Sequence, residues 1–314
     1  MSLTIGVDIG GTKVLGGVVD EDGIVVATAR RDTPADTNVL LDRIVEVITE
    51  LSATHAVDAV GIGAAGWIDS DRSTVLYAPN LAWREEPLRD EVQSRTKVPV
   101  VVENDANVAA WAEFRYGAAK DASDSMVMFT IGTGIGGGIV LGGQIVRGAH
   151  GIAAELGHVL AVPDGHPCGC GARGCVEQYA SGNALTRFAR EAAVADPKRA
   201  ANLLSEAGGD PAKLTGPMVT DAAKAGDPVG LDAFDQAGFW LGQALADMVQ
   251  VFDPQILVVG GGVIEAGDLL LAPARAACCE RLAARGKFPS AEIVAASMGN
   301  TAGLVGAADL ARIR

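Results

Sequence analysis

The sequence predicts an α/β protein with two lobes, and three observations support this fold class. The chain has 314 residues, 49% of them hydrophobic, which is enough to bury a large core and favours two lobes over one. Only 4% of the residues are aromatic, and Ala, Val and Gly dominate, which is typical of closely packed strands and helices rather than of a disulfide-stapled secreted fold. The third observation is a strand pattern that occurs twice.

The repeated pattern covers residues 7–26 and 129–146. Each segment reads as strand, glycine turn, strand, second turn and a further strand, which is the pattern of a β-meander. Two matched meanders, one at the start of each half of the chain, indicate two lobes of related topology with a cleft between them. We expect a small lobe of residues 1–118 plus 300–314 and a large lobe of residues 119–299.

Alternating strands and helices follow each meander. Hydrophobic periodicity predicts the following elements, in chain order: a helix over 40–51, strands over 57–64 and 98–102, a helix over 106–116, helices over 182–194 and 234–251, a strand over 256–259 and a last helix from about 301. Residues 210–228 are the least regular part of the sequence, yet they are too apolar for a linker.

The two glycine turns do not match familiar phosphate-binding motifs. The segment Gly6 to Lys13 has Thr and Lys in the wrong order for a P-loop, and a strand follows it where a helix is required. Gly132 to Gly137 has the letters of a dinucleotide fingerprint but is also followed by a strand. Either turn alone is more simply explained by backbone conformation. As a pair, with Asp8, Thr12 and Thr133 placed alike, they suggest N–H groups around an anion, with Asp8 holding Mg²⁺ through water.

Three cysteines and a histidine within residues 158–175 suggest a structural zinc site. Cys168, Cys170 and Cys175 supply thiolates, and a tetrahedral zinc ion accepts three of them with one imidazole. The alternative is a Gly-rich loop of reduced cysteines without a metal. His158 and His166 compete for the fourth position, and we favour His158 because Glu155 lies close to it in the sequence.

Composition restricts the partners and the compartment. A formal charge of −14 disfavours binding to nucleic acid or to an anionic membrane. The start of the chain lacks the features of an export signal, no stretch is typical of a membrane span, and an odd count of five cysteines fits a reducing cytoplasm.

Five segments, taken together, resemble the ROK (repressor, open reading frame, kinase) family of sugar kinases. They are residues 8–13, 103–107, 132–138, 155–158 and 168–177, and the resemblance extends over essentially the whole chain. It implies an actin-like, hexokinase-type fold with a zinc-stabilised loop, ATP and Mg²⁺ as cosubstrates, and a homodimer or homotetramer. It also implies phosphorylation of a hexose, and the segment 80–83 looks most like the glucose kinases of the family.

The resemblance also suggests the residues of the sugar site. Asp105 would be the general base that accepts the proton of the sugar hydroxyl, although its position alone would favour a helix N-cap. Several fixed hydrogen-bonding groups are needed to recognise a polyol. The residues expected to bind the sugar are Gly66, Asn80, Asn104, Asp105, Glu155, His158 and Glu177. One ring nitrogen of His158 on zinc would leave the other to face the sugar.

The nucleotide is expected to contact both glycine turns and a third glycine run. These residues are Asp8, Gly10, Gly11, Thr12, Lys13, Gly132, Thr133, Gly134, Gly261 and Gly262. The hypothesis that follows is ATP- and Mg²⁺-dependent phosphorylation of glucose at its 6-hydroxyl.

Two alternatives remain open at this point. One is a kinase for fructose, mannose or an N-acetylhexosamine, or one that uses polyphosphate. The other is a sugar-sensing regulator of transcription, which we disfavour because the first strand begins by Leu3, without room for a DNA-binding helix-turn-helix, and because the chain is acidic.

Overall fold

A computed structural model describes residues 2–78, 81, 83–122, 124–286 and 290–313. Its strands are β1 (Thr4–Ile9), β2 (Lys13–Val19), β3 (Val25–Asp32), β4 (Ala59–Ala64), β5 (Trp67–Ile68), β6 (Val75–Tyr77), β7 (Arg84–Glu86), β8 (Val100–Asn104), β9 (Met126–Ile131), β10 (Ile135–Leu141), β11 (Gln144–Ile145), β12 (Ile256–Gly260) and β13 (Glu292–Ala295). Its helices are α1 (Thr37–Ser52), α2 (Leu88–Thr96), α3 (Asp105–Arg115), α4 (Glu177–Ala180), α5 (Gly182–Ala195), α6 (Ala201–Glu206), α7 (Gly216–Lys224), α8 (Pro228–Phe252), α9 (Asp268–Arg281) and α10 (Ala302–Arg312).

The repeat predicted from the sequence appears as two five-stranded sheets with the same strand order. The first sheet runs β3-β2-β1-β4-β8 and the second β11-β10-β9-β12-β13. In the first, β1 is antiparallel to β2 and parallel to β4, and β4 is parallel to β8. A small antiparallel sheet, β5-β6-β7, follows β4 along the chain. The predicted α/β class and the two meanders are confirmed.

Glycines across the first sheet allow α10 to pack directly against its strands. Gly6 lies opposite both Gly17 and Gly61 in the strand register. A Cβ atom on Gly6 would lie 1.8 Å from the carbonyl oxygen of Leu304, and one on Gly61 would lie 1.8 Å from that of Ala307. Such contact is possible only without side chains. The opposite face of β1 carries Ile5, Val7 and Ile9, which belong to a buried cluster with the apolar side of α1.

Several element boundaries differ from the sequence expectations because local capping sets them. Asp36 caps α1 by accepting from the amides of Asn38 and Val39, so this helix begins three residues before Leu40. Asp227 caps α8, and Pro228 occupies its first position, so α8 begins six residues before Phe234. The irregular segment 210–228 contains α7, which Thr215 caps.

The chain separates into two compact units. The first comprises Met1–Met126, Gly138–Ala154 and Ser297–Arg314, and the second comprises Val127–Gly137 and Glu155–Ala296. Within the described ranges, no helix combines the length and apolar character that crossing a membrane requires.

Candidate active site

In the first unit, predicted site residues meet where parallel strands of the first sheet end. Asp8 lies near the end of β1, opposite Gly63 of β4, and Asn104 is the last residue of β8, opposite Ala64. Asp105 then begins α3. Because β1, β4 and β8 run in the same direction, their carboxyl ends share one edge of the sheet, which is where ligands bind in many α/β proteins.

Asn104, rather than Asp105, is the capping residue of α3. Its Oδ1 atom accepts from the amides of Ala106 and Asn107 at 2.9 and 3.0 Å. Its Nδ2 donates to the carbonyl of Gly66 at 3.0 Å. The Asn104 side chain also hydrogen-bonds to Asp105 and lowers the pKa of that carboxyl. The helix-cap explanation considered for Asp105 therefore applies to its neighbour.

Gly66 is required at its position for two reasons. Its φ of +126° is one that side chains disfavour. A Cβ atom would also lie 2.3 Å from the carbonyl oxygen of Tyr77. Gly66 thus fixes the amide of Asn104 beside Asp105. Asn80, the other residue expected near this turn, lies outside the described residues.

The environment of Asp105 suits a proton acceptor. Burial raises the pKa of its carboxyl above the ordinary value, against hydrogen bonds from the Ala106 amide and Asn104 that lower it. The Ala106 amide donates to Asp105 Oδ1 at 2.9 Å and orients the carboxylate. A carboxylate with a raised pKa takes up a proton more readily than an exposed one does.

Asp8 is the second perturbed carboxylate of this unit. Burial raises its pKa from 3.8 to about 6, the charge of Asp105 adds to the increase, and Lys13 opposes it. Within the described part of the chain, its side chain accepts no hydrogen bond. Asp8 shares the face of β1 with Gly6, and a Cβ atom on Gly303 of α10 would lie 3.0 Å from the Asp8 carboxyl carbon. A buried carboxylate of this kind fits a hydrated cation as partner.

A buried ion cluster, not anticipated from the sequence, surrounds Glu103 and holds the backbone at Asn104, next to Asp105. Glu103 is only 1% exposed, and its Oε2 lies 3.1 Å from Arg72 Nε and 2.7 Å from Arg147 Nε. Its Oε1 accepts from the Asn104 amide and from Asn107 Nδ2 at 3.0 and 3.1 Å. The signal for this cluster was a charged residue at the end of an apolar strand, but its arginine partners are distant in sequence.

The two glycine turns each connect consecutive strands by three residues. In the first, the Gly10 amide donates to the Lys13 carbonyl at 2.9 Å, and Gly11 and Thr12 are exposed. In the second, the Gly132 amide donates to the Gly134 carbonyl at 2.9 Å, and Thr133 is exposed. The threonines hold different positions, third and second in their turns, so the expectation that they are placed alike is wrong. Both turns do leave polar groups accessible.

In the second unit, two groups of predicted nucleotide residues lie together. Gly261 has a φ of +85°, and a Cβ on it would lie 2.4 Å from the carbonyl oxygen of Ile131, which directly precedes Gly132. Gly262 starts a short 3-10 helix. Gly261, directly after β12, therefore packs against the backbone of Ile131, the residue before the turn at residues 132–134, and a side chain at this position would displace that backbone.

The predicted metal ligands also lie together in the second unit. One donor atom from each of His158, Cys168, Cys170 and Cys175 lies within 4.8 Å of all the others. The Cys170 and Cys175 sulfurs are 3.7 Å apart, and His158 Nδ1 is 3.6 Å from the Cys168 sulfur. Zinc bonds of about 2.3 Å to sulfur and about 2.1 Å to nitrogen give tetrahedral edges of about 3.8 and 3.6 Å. The cluster therefore fits a zinc ion.

His166 is engaged elsewhere. Its Nε2 lies 2.9 Å from Arg187 Nη1, its ring packs on Tyr179, and its backbone amide donates to the Tyr179 hydroxyl. His158, which presents Nδ1 to the cluster, is thus the histidine that completes the ligand set.

The candidate sugar ligands of the second unit adjoin this cluster. Glu155 precedes a 3-10 turn, Leu156–His158, and the His158 amide donates to its carbonyl at 3.0 Å. Glu177 Oε1 lies 3.6 Å from the Cys168 sulfur, so His158 and Glu177 flank the same cysteine. The Nε2 atom of His158, opposite its cluster-facing nitrogen, is left to bind a ligand.

Comparison with known proteins shows the family. The ROK family profile matches residues 4–314, and the chain belongs to this family. The chain is 48% identical over 312 residues to the glucokinase of Streptomyces coelicolor, covering 99% of this chain and 98% of that protein. It is 38% identical over 317 residues to the glucokinase of Thermotoga maritima, covering 99% and 97%.

A solved relative has the same fold. The crystal structure of a ROK family glucokinase from Streptomyces griseus, in complex with glucose and AMPPNP, matches with a TM-score of 0.88 and 50% identity over 100% of both chains. The predicted family and fold class are confirmed by these similarities.

Proposed function

We propose that this protein is a glucokinase, which transfers the terminal phosphoryl group of ATP to the 6-hydroxyl of glucose and releases ADP. The observation that carries the proposal is the half-buried Asp105 carboxylate, held at the carboxyl edge of a parallel sheet with a raised pKa. The similarity to a glucokinase solved with glucose and AMPPNP supports the choice of sugar and of donor.

Asp105 is the general base of the proposed reaction. The 6-hydroxyl oxygen forms a bond to the γ-phosphorus of ATP, the bond from that phosphorus to the bridging oxygen breaks, and the hydroxyl proton passes to Asp105. Phosphoryl transfer depends mainly on positioning and charge neutralisation. The Ala106 amide, 2.9 Å from Oδ1, holds the carboxylate in a fixed orientation for the proton.

The remaining unit 1 residues bind and orient. Asn104 lies beside Asp105 to bind the sugar, and its bond to the Gly66 carbonyl fixes its orientation. Asp8, through water, is the residue that would hold Mg²⁺, which when bound neutralises phosphate charge. The amides of Gly11 and Thr12, at the exposed tip of the first turn, bind phosphate oxygens.

The second unit carries the other residues that we assign to substrate binding. Glu155, His158 and Glu177 bind sugar hydroxyls, and the glycines at 132, 134, 261 and 262 with Thr133 approach the nucleotide. His158, Cys168, Cys170 and Cys175 would hold zinc, which supplies rigidity to this loop and orients the His158 ring. Fixed donors and acceptors of this kind give selectivity among sugars because an unmatched buried polar group is costly.

A coupled assay with panels of sugars and donors tests the proposal. We expect kcat/KM to be highest for glucose with ATP and Mg²⁺, above fructose, mannose, N-acetylmannosamine and polyphosphate in place of ATP. A higher value for another sugar, or for polyphosphate, would contradict it. The proposal includes two lobes, residues 1–118 plus 300–314 and residues 119–299. It also includes a homodimer or homotetramer, and light scattering of the purified protein measures this oligomeric state.

A further inference from the structure

Glu177 has a second set of contacts that a sugar-binding role leaves unexplained. Its Oε2 accepts from the backbone amide of Ile135 at 3.0 Å, immediately after the glycine turn at residues 132–134. Its Oε1 lies 3.6 Å from the sulfur of Cys168. One carboxylate therefore contacts both the cysteine–histidine cluster and the first residue of β10.

The turn is shaped to receive this carboxylate. A Cβ atom on Gly134 would lie 2.3 Å from Glu177 Oε2, so the absence of a side chain lets the carboxylate lie against the turn. Gly134 does not have a positive φ, so its backbone conformation would accept another residue. Glycine is needed here because a side chain would collide with the carboxylate.

The backbone around Glu177 is tied to the same two places. Glu177 is two residues after Cys175, and the intervening Val176 amide donates to the Val159 carbonyl, next to His158, at 2.9 Å. Downstream, the Gly182 amide donates to the Gly132 carbonyl at 2.8 Å. On the other side of Ile135, a Cβ on Gly157 would lie 2.3 Å from the Ile135 carbonyl oxygen. The cluster and the turn are thus joined on both sides of Ile135.

We infer that Glu177 is a positioning residue, which holds the turn at residues 132–134 and the adjacent Ile135 against the cysteine–histidine loop. This inference rests on the proposed function in one respect, which is that the turn binds the nucleotide. The Glu177 carboxylate thus adds a side-chain link between the metal loop and the turn to the backbone contacts on both sides of Ile135. Loss of this bond weakens ATP binding and leaves glucose binding largely intact.

Three variants separate this role from sugar binding. Gly134→Ala places a methyl carbon 2.3 Å from Glu177 Oε2. The flexible end of Glu177 must then move away, so the bond to Ile135 is lost while the carboxylate remains. Glu177→Ala removes the carboxylate. Glu177→Gln keeps a carbonyl oxygen that can accept from the Ile135 amide. Gly216→Ala, at the start of α7, is the matched control, because its Cβ would meet only Thr186 Oγ1 at an ordinary 3.6 Å.

Amide hydrogen exchange of Ile135, measured without substrates, is the first readout. We expect exchange to accelerate at least tenfold in Gly134→Ala and Glu177→Ala, and to stay near the unmodified rate in Glu177→Gln and Gly216→Ala. Zinc content should remain the same in Gly134→Ala. Unchanged Ile135 exchange in Gly134→Ala and Glu177→Ala would overturn the inference, whether or not the protein phosphorylates glucose.

The second readout is the pair of Michaelis constants. Gly134→Ala should raise the KM for ATP at least fivefold and the KM for glucose less than twofold. A rise confined to the KM for glucose would assign Glu177 to the sugar alone and overturn the inference.

Discussion

Asp105 combines fixed orientation with a raised pKa, and each has a local cause. The orientation comes from the first turn of α3, where the Ala106 amide holds Oδ1. The raised pKa comes from burial at the strand edge. Substrate binding removes further water and makes a charged carboxylate a still better proton acceptor.

Replacing this carboxylate by an amide tests its role in catalysis. Asp105→Asn keeps the shape of the side chain but cannot accept the proton, so kcat should fall about 10²- to 10⁴-fold. Glucose affinity, measured by calorimetry, should change little, and Asp105→Ala should behave alike. Substantial turnover in either variant would refute the assignment of Asp105 as base.

The ionised Asp8 carboxylate should lower the free energy of unfolding at neutral pH, because it is charged and buried. Its folded-state pKa of about 6 exceeds the ordinary value of 3.8 for an aspartate. As pH rises, Asp8 therefore ionises at a lower pH in the unfolded chain than in the folded protein. The free energy of unfolding is unaffected by Asp8 below about pH 4 and decreases as pH rises through about 6. Asp8→Asn cannot ionise, so it should raise the free energy of unfolding at pH 7.5 by up to about 3 kcal/mol.

Urea unfolding at pH 7.5 and 3.5 measures this effect. The gain from Asp8→Asn should vanish at pH 3.5, while the activity of the variant at pH 7.5 should fall sharply. Asp22→Asn, which alters an exposed aspartate, is the control and should change neither quantity. A destabilised Asp8→Asn at pH 7.5 would show that its charge is favourably paired.

At the scale of elements, the buried cluster of Glu103 joins β8 and α3 to two loops. Arg147 also donates to the carbonyls of Ser70 and Asp69, both at 2.8 Å, so the cluster fixes the backbone after β5. Burying a carboxylate between two guanidinium groups is favourable only while every partner is present.

Removing the Glu103 charge should therefore be costly. Glu103→Gln leaves two arginines without a buried counter-charge and should lower the free energy of unfolding by about 3 to 5 kcal/mol. Glu46→Gln, in the exposed pair with Arg31 and Arg43, should leave unfolding nearly unchanged. Equal stabilities of the two variants, from chemical denaturation, would contradict the importance of the cluster.

The elements with clear periodicity were predictable, and those fixed by distant partners were not. α5 was predicted over 182–194 and occupies Gly182–Ala195, because its amphipathic pattern and its Ser181 cap are local. β13, α9 and the small β5-β6-β7 sheet carried no such signal. β8 extends to Asn104, beyond the predicted end at Val102, because strand pairing with Ala64 continues.

The candidate site shows the same division. The cysteine spacing predicted the metal-ligand cluster, since its members are close in sequence. The contacts of Asn104 with Gly66, Glu103 with Arg147, and Glu177 with Ile135 join residues far apart in sequence, so spacing alone could not reveal them.

At the scale of the whole molecule, a glycine turn follows the central strand of each five-stranded sheet. Residues 10–12 connect β1 to β2, and residues 132–134 connect β9 to β10. This arrangement accounts for two similar turns in one chain. The cysteine–histidine loop belongs to the second unit alone.

Zinc should contribute to the stability of the second unit. We expect about one zinc ion per chain in purified protein, and we expect Cys170→Ser or a strong chelator to remove it and to lower the thermal unfolding temperature. Cys279→Ser, at an exposed cysteine of α9 outside the cluster, should leave zinc content and unfolding unchanged. Full thermal stability after zinc removal would contradict a structural role for the metal.

The distance between the Asp105 carboxylate and the 6-hydroxyl of the sugar, measured in a crystal structure of the protein with glucose, tests whether Asp105 is the base. We predict a hydrogen bond of about 2.6 to 3.2 Å. Glucose bound with its 6-hydroxyl on another group, or away from Asp105, would contradict the assignment of this residue as the base of a glucokinase.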